Sequence, residues 1–178
     1  MKILILALFL FIQSAYAQVF VADKSQTRFK FDGSLITEGK SDKGVVTIRE
    51  TGGFQKILMV NEVRDFHFPS NLEEIEFNEE FMESHYFPQI RINGKLKEKV
   101  DLTRDGIYIV NFTGRFTMRH QSINMEFPVR LEITGSKMTF EFQQSLNLTQ
   151  FYVPYAGTGS DIGKFADYIF SAELNRTH

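Results

Sequence analysis

"GIYIVNFTGRFTM", residues 106–118, decides the fold class. Tyr108, Val110, Phe112, Gly114, Phe116 and Met118 fall on one face, with Ile107, Ile109, Asn111, Thr113, Arg115 and Thr117 on the other. Successive side chains of a strand point to opposite faces, so a strict period of two over this length reads as β-strand and not helix. Asp105-Gly106 in front supplies a turn signal. The same period continues downstream. "INMEFPVRLEIT" gathers Ile123, Met125, Phe127, Val129, Leu131 and Ile133, "KMTFEFQQSLNL" gathers Met138, Phe140 and Phe142, and "DYIFSAEL" gathers Tyr168, Phe170, Ala172 and Leu174. Upstream, "TRFKFDG" sets Phe29 and Phe31 against Arg28, Lys30 and Asp32, and "IRINGKLKEKVDL" sets Ile90, Ile92 and Leu96 against Arg91, Asn93 and Lys95. "GVVTIRE" and "KILMVNEV" are β-branched or apolar runs, and turn signals at Asp32-Gly33, Thr51-Gly52-Gly53 and Gly135-Ser136 separate the segments. Eight or so strands at this spacing predict one all-β domain, an antiparallel sandwich or barrel.

The chain opens MKILILALFLFIQSAYAQ: one lysine, an apolar run from Ile3 to Ile12, then Ala15-Tyr16-Ala17. That pattern predicts a cleavable secretory signal over 1–17 and a mature domain over 18–178. The run is too short for a spanning helix, which needs about 20 apolar residues. With no cysteine, an exported chain cannot rely on disulfides, and its core alone must hold the fold. A net charge of −2 gives no electrostatic footprint for nucleic acid or an anionic membrane. The composition also holds 19 Phe and no Trp. Phenylalanines on that scale fill a core or line a greasy cavity.

"FNEEFMESHYFPQI", residues 77–90, breaks the alternation. Asn78 can cap a helix, Glu79 and Glu80 suit a first turn, and Pro88 stops any helix before the next strand. One or two helical turns laid across an end of the sheet are expected, their aromatic side plugging it; an ordinary crossover loop is the alternative.

Signatures of catalysis are absent. His67, His85, His120 and His178 are scattered, with none at the helical spacing of a zinc site. "GTGSDIG", residues 157–163, has the wrong glycine spacing for a dinucleotide loop and reads as a flexible connection. Ser160 lies outside a nucleophile elbow. The glutamates at 73, 74, 76, 79 and 80 read as a solvated face, and the sequons at Asn111, Asn147 and Asn175 as accidental. No enzyme activity, no metal and no cofactor are expected.

The order of the pieces resembles the YceI-like family in its shorter secreted form. There a strand leads to an HFNE-x-YM-E-S-x-x-x-P element and then a strand ending in GK. Phe77-Asn78-Glu79, Phe81-Met82-Glu83-Ser84, Phe87-Pro88 and Gly94-Lys95 fit that pattern, with Glu76 at the family's histidine. Further on, Gly114, Phe116, Thr117 and Met118 match the family's hairpin, while Arg119-His120-Gln121-Ser122 replace its His-Gly-Val-Thr turn. Phe151, Val153 and Pro154 stand in a third element whose Asp-Gly pair is lost. The resemblance implies a lipocalin-like antiparallel β-barrel with one or two short helical turns. It would be exported to the periplasm or secreted, and would carry or sequester a polyisoprenoid or similar long apolar lipid. The lining would come from Phe29, Phe31, Met59, Phe112, Phe116, Phe127, Phe140 and Phe142, with Phe81, Met82, Tyr86 and Phe87 closing one end. Family members often pair, so a homodimer is open to this chain. The alternative is an envelope interaction or stress protein whose barrel is packed shut.

Overall fold

The computed structural model describes residues 19–177; the expected signal segment, 1–17, and Gln18, the expected first residue of the mature domain, lie outside them. Nine strands follow in order: β1 (Val19–Phe31), β2 (Glu38–Ser41), β3 (Val45–Thr51), β4 (Phe54–Glu62), β5 (Gln89–Leu96), β6 (Gly106–Met118), β7 (Gln121–Thr134), β8 (Lys137–Asn147) and β9 (Phe165–Thr177). Each pairs antiparallel with its neighbour in one sheet, and β9 pairs back onto β1 along nearly its whole length, which closes the barrel. β2 and β3 share the other edge of β1 in one register (Thr27↔Ser41, Val21↔Thr47). They therefore fill a single strand position interrupted at 42–44, and the barrel has eight positions. The pairing of β9 with β1 leaves neither of them as a free edge strand.

The alternation read from the sequence is the alternation of the barrel. Phe112, Phe116 and Met118 of β6 are buried while Ile107 and Ile109 are exposed, and Phe127, Val129, Leu131 and Ile133 of β7 and Met138, Phe140 and Phe142 of β8 all face in. Local chemistry sets the turns. Gly52 (φ 61°) and Gly53 (φ 78°) form the two-residue β3–β4 loop, where positive φ at both positions is free of steric cost only for glycine. The β6–β7 turn makes the same tight reversal with Arg119 at φ 53°, a conformation that costs a side-chain-bearing residue about 1 kcal/mol or more.

The helical element begins earlier than the sequence suggests. Helix α1 (Asn71–Ile75) is capped by Ser70, whose Oγ accepts the Glu73 N–H at 3.2 Å, and Glu73 and Glu74 occupy its first turn. It continues as a π-type segment over Glu76–Phe81. Asn78 is thus not the cap; its side chain donates back to the Glu74 carbonyl at 2.9 Å, and Glu79 and Glu80 sit in the last turn. Glu83, at φ 48°, ends the helix, with the Met82 N–H bonded to the Phe77 carbonyl and the Ser84 N–H to that of Asn78. The 157–163 connection is folded down and not loose: Ile162 is fully buried, and the Asp161 carbonyl accepts from the N–H groups of Ser34 and Leu35.

Both ends of the barrel are covered. The helical segment and the 148–153 turn lie over one end, through Phe77, Phe81, Met82, Leu148 and Phe151. The 97–105 connection covers the other, with Val100 and Leu102 buried, the Val100 carbonyl accepting from Gln55, and the Leu102 carbonyl accepting from Arg176.

Candidate functional site

The candidate site is the barrel interior, built from alternate residues of every strand. Phenyl rings dominate it. Near the helical end, Phe77 lies 6.2 Å from Phe29, 6.0 Å from Phe31, 5.8 Å from Phe66 and 4.8 Å from Phe68, centroid to centroid. On the far side a second group runs from Phe112 to Phe127 (5.0 Å), Phe142 (4.9 Å) and Phe170 (5.7 Å). Tyr168 joins the two, 5.8 Å from Phe29, 5.2 Å from Phe116 and 6.0 Å from Phe142. These separations are the contact range of aromatic pairs, so the rings pack on one another across the barrel.

One polar chain crosses this apolar volume. The Tyr168 hydroxyl donates to Asn61 Oδ1 at 2.5 Å, and Asn61 Nδ2 donates to Thr27 Oγ1 at 3.0 Å; all three residues are buried. Buried polar groups must be paired, and each atom here that can pair across the barrel does so. Burial pushes the Tyr168 hydroxyl well above the usual tyrosine range, because a phenolate has no solvation there. The chain ties β1, β4 and β9 together across the interior.

Of the residues expected to line or close the interior, Phe29, Phe31, Met59, Phe112, Phe116, Phe127, Phe140 and Phe142 are all buried inside the barrel, and Phe81 and Met82 are buried under the helical segment. Phe87 is half-buried at the rim, 5.5 Å from the His120 ring and beneath the Arg119 guanidinium. Tyr86 does not join them; it is 73% exposed. The helix ends at Phe81, so Tyr86 lies in the turn leading to Pro88, where no helical face directs it inward. Phe77, Tyr168 and Asn61 are central yet absent from that expected set. Phe77 stands four residues before Phe81, the spacing that puts both on one helical face. Asn61 shares its strand face with Met59 and Ile57 and was legible as an inward polar residue.

A latch holds the helical segment to the β6–β7 turn. Arg119, its side chain nearly buried, donates to the Phe81 carbonyl at 2.6 Å and pairs with the Glu83 carboxylate. Arg119 and Glu83 both occupy positive-φ backbone. Beside the latch the His120 ring stacks parallel on Tyr152 at 5.6 Å. A recess of about 570 Å³ opens at this end between Lys30-Phe31, Thr37, Glu38, Lys40 and His67-Phe68-Pro69. Its aromatic wall, Phe31 and Phe68, is the outer layer of the Phe77 cluster. Among the described residues, no three His, Asp or Glu side chains gather as metal ligands, and no helix is long and apolar enough to cross a membrane.

Compared with models of protein families and with curated protein sequences, the chain matches none. Solved structures do match. BcnA of Burkholderia cenocepacia superposes with a TM-score of 0.68 at 16% identity, over 84% of this chain and 95% of its own. A polyisoprenoid-binding domain of Saccharophagus degradans, implicated in plant cell wall breakdown, superposes with a TM-score of 0.71 at 8% identity, over 89% and 98%. The YceI protein of Campylobacter jejuni matches over 84% and 85% with a TM-score of 0.55 at 12% identity. The fold is that of the YceI proteins. At these identities the shared property is the fold, a lipocalin-like YceI barrel.

Proposed function

We propose that this protein binds a long apolar lipid, a polyisoprenoid or a similar amphiphile, inside its barrel, as a carrier or sequestering protein of the bacterial envelope. The signal-like residues 1–17 support export, and with them a periplasmic or secreted location. The observation that carries the reading is the interior itself: rings and aliphatic side chains from eight strand positions, enclosed at both ends, in the fold that the Saccharophagus polyisoprenoid-binding domain also has. Burying each CH₂-sized unit of a tail contributes about 0.8 kcal/mol. Some ten such units give about 8 kcal/mol gross, of the size needed to offset the 4–15 kcal/mol cost of association. No catalytic role is assigned: among the described residues, Thr27, Asn61 and Tyr168 are spent on one another and Gln55 on the Val100 carbonyl.

A second reading has an observation of its own. An eight-stranded barrel is just wide enough either to be filled by its side chains or to hold one small ligand. The mutual ring contacts here favour a filled interior, hence an envelope protein that works through its surface. Under the lipid reading the rings must part to admit a tail, exchanging ring–ring for ring–tail contacts.

Organic extraction of the secreted mature protein followed by mass spectrometry tests the choice. Near-stoichiometric prenyl or acyl lipid is the expected result. No lipid in the extract, together with no uptake of an added prenol by the delipidated protein, would establish the filled barrel instead.

A further inference from the structure

The barrel wall is not continuous. β7 pairs with β6 over its full length, from Gly106↔Ile133 to Met118↔Gln121, and β8 pairs with β9 from Lys137↔Asn175 to Asn147↔Phe165. Between β7 and β8 the ladder runs only from Thr134↔Lys137 to Arg130↔Glu141. Residues 121–129 and 142–147 are therefore the two banks of a seam with no ladder between them. It extends from mid-barrel to the helical end, on the order of 20 Å at strand rise.

The sequence enforces this break. Asn111 of β6 accepts the Lys97 N–H at its carbonyl and donates its own N–H to Glu98, so its backbone groups face away from β7. In an antiparallel pair both partners then face outward from the pair, so those of its partner Pro128 point toward β8. Pro128 would meet Gln143 in the next hydrogen-bonded pair after Arg130↔Glu141, and proline has no N–H to give. One pair further, Glu126 would bond Ser145, but the Ser145 carbonyl is taken by the Gln144 side-chain amide at 2.7 Å.

What closes the seam is side chains. At its inner end Arg130 Nη1 and Glu141 Oε2 bridge the last ladder pair at 3.0 Å. Along its middle the stacked Phe127 and Phe142 rings meet at 4.9 Å. At its outer end His120, just before β7, stacks on Tyr152, just after β8. Ile123 and Met125, inward by alternation, stay only partly buried. The outer face of the seam is polar, through Ser122, Asn124, Glu126, Gln143 and Ser145, while its inner face carries Ile123, Met125, Phe127, Phe142 and Leu146 beside Gln144; parting the ring pair would open a path for a hydrocarbon chain without breaking the ladder anywhere.

We infer that the β7–β8 seam is a lateral portal through which the lipid tail enters and leaves the barrel, with Phe127 and Phe142 as the gate. This rests on the lipid-binding reading above. The chain has no cysteine, so a bridge can be placed at will. Glu126→Cys with Ser145→Cys puts one thiol on each exposed bank, at the loss only of a surface ion pair to Lys97. The pair is joined by a short bis-maleimide with a reducible link, and uptake of dansyl-labelled geranylgeraniol is followed by stopped-flow fluorescence. Uptake should slow about tenfold or more when bridged and recover on reduction, with final loading unchanged, as for a gating step. Unslowed uptake by the bridged protein would overturn the portal and leave lipid binding intact, moving entry to the recess at Phe31 and Phe68. No uptake by the unbridged and wild-type proteins would remove the lipid reading and the portal with it. Amide exchange on the wild type gives a second measurement. The N–H groups of Asn124, Glu126, Gln143 and Ser145 face the seam and should exchange far faster than those of Ile123 and Met125, which face β6; equal protection would mean that the seam is zipped, and would sink the inference.

Discussion

Tyr168→Phe tests whether the barrel interior is dry. The hydroxyl removed is fully buried, and its loss leaves Asn61 Oδ1 without its donor. Loss of one hydrogen bond with an orphaned buried acceptor costs about 1–3 kcal/mol. In a domain of this size that lowers Tm by roughly 2–4 °C per kcal/mol. The pH dependence is more specific. Unfolded, the phenol ionises around its ordinary value of 10.0; folded, burial raises it further. Above pH 10 the unfolded state therefore binds fewer protons than the native state, and stability falls as pH rises. The stability Tyr168 contributes is fully present below pH 10 and is lost above it, at a limiting slope of about 1.4 kcal/mol per pH unit. The variant lacks this term. Urea unfolding followed by circular dichroism at pH 7, 10 and 11 should show the wild type ahead at pH 7 and the gap shrinking by about 1 kcal/mol between pH 10 and 11. Differences between the two proteins cancel the other titrating groups. Parallel profiles would mean that Tyr168 ionises as freely folded as unfolded. Water would then reach the centre of the barrel, and the packed-ring description would be wrong.

Arg119→Ala should destabilise by about 2 kcal/mol, the worth of charged hydrogen bonds to the Phe81 carbonyl and Glu83, with amide exchange rising first over 71–82. Arg119→Gly should lose less, because glycine relieves the positive φ; an equal or larger loss would show that backbone strain at this turn is negligible. Gly114→Ala should cost more than about 3 kcal/mol, since a Cβ there would stand 2.4 Å from the Asn93 carbonyl oxygen and 2.6 Å from both Gly94 Cα and the Phe112 ring. A Tm within a few degrees of wild type would show that β5 and β6 can part at that pair.

Period-two alternation told which face of nearly every strand is buried, because one face of each strand packs inward and a helix could not sustain that spacing. The doublet Gly52-Gly53 was equally plain, its chemistry being local. The helical segment was harder. A cap at Ser70 and one at Asn78 are both acceptable locally, and tertiary packing of Phe77 and Phe81 on the barrel end selects the first. Tyr86 shares its composition with its buried neighbours, so only the point where the helix stops sends it into solvent.

From the chain alone came the strands, their inward faces, the absence of disulfides and the likeness to the YceI-like pattern, all properties written into nearest neighbours and their spacing. The closure of β9 onto β1, the Tyr168–Asn61–Thr27 chain and the β7–β8 seam arose only in three dimensions. Pro128 announces a missing donor anywhere it stands; which neighbour it refuses depends on register, and register is set by partners far away in sequence.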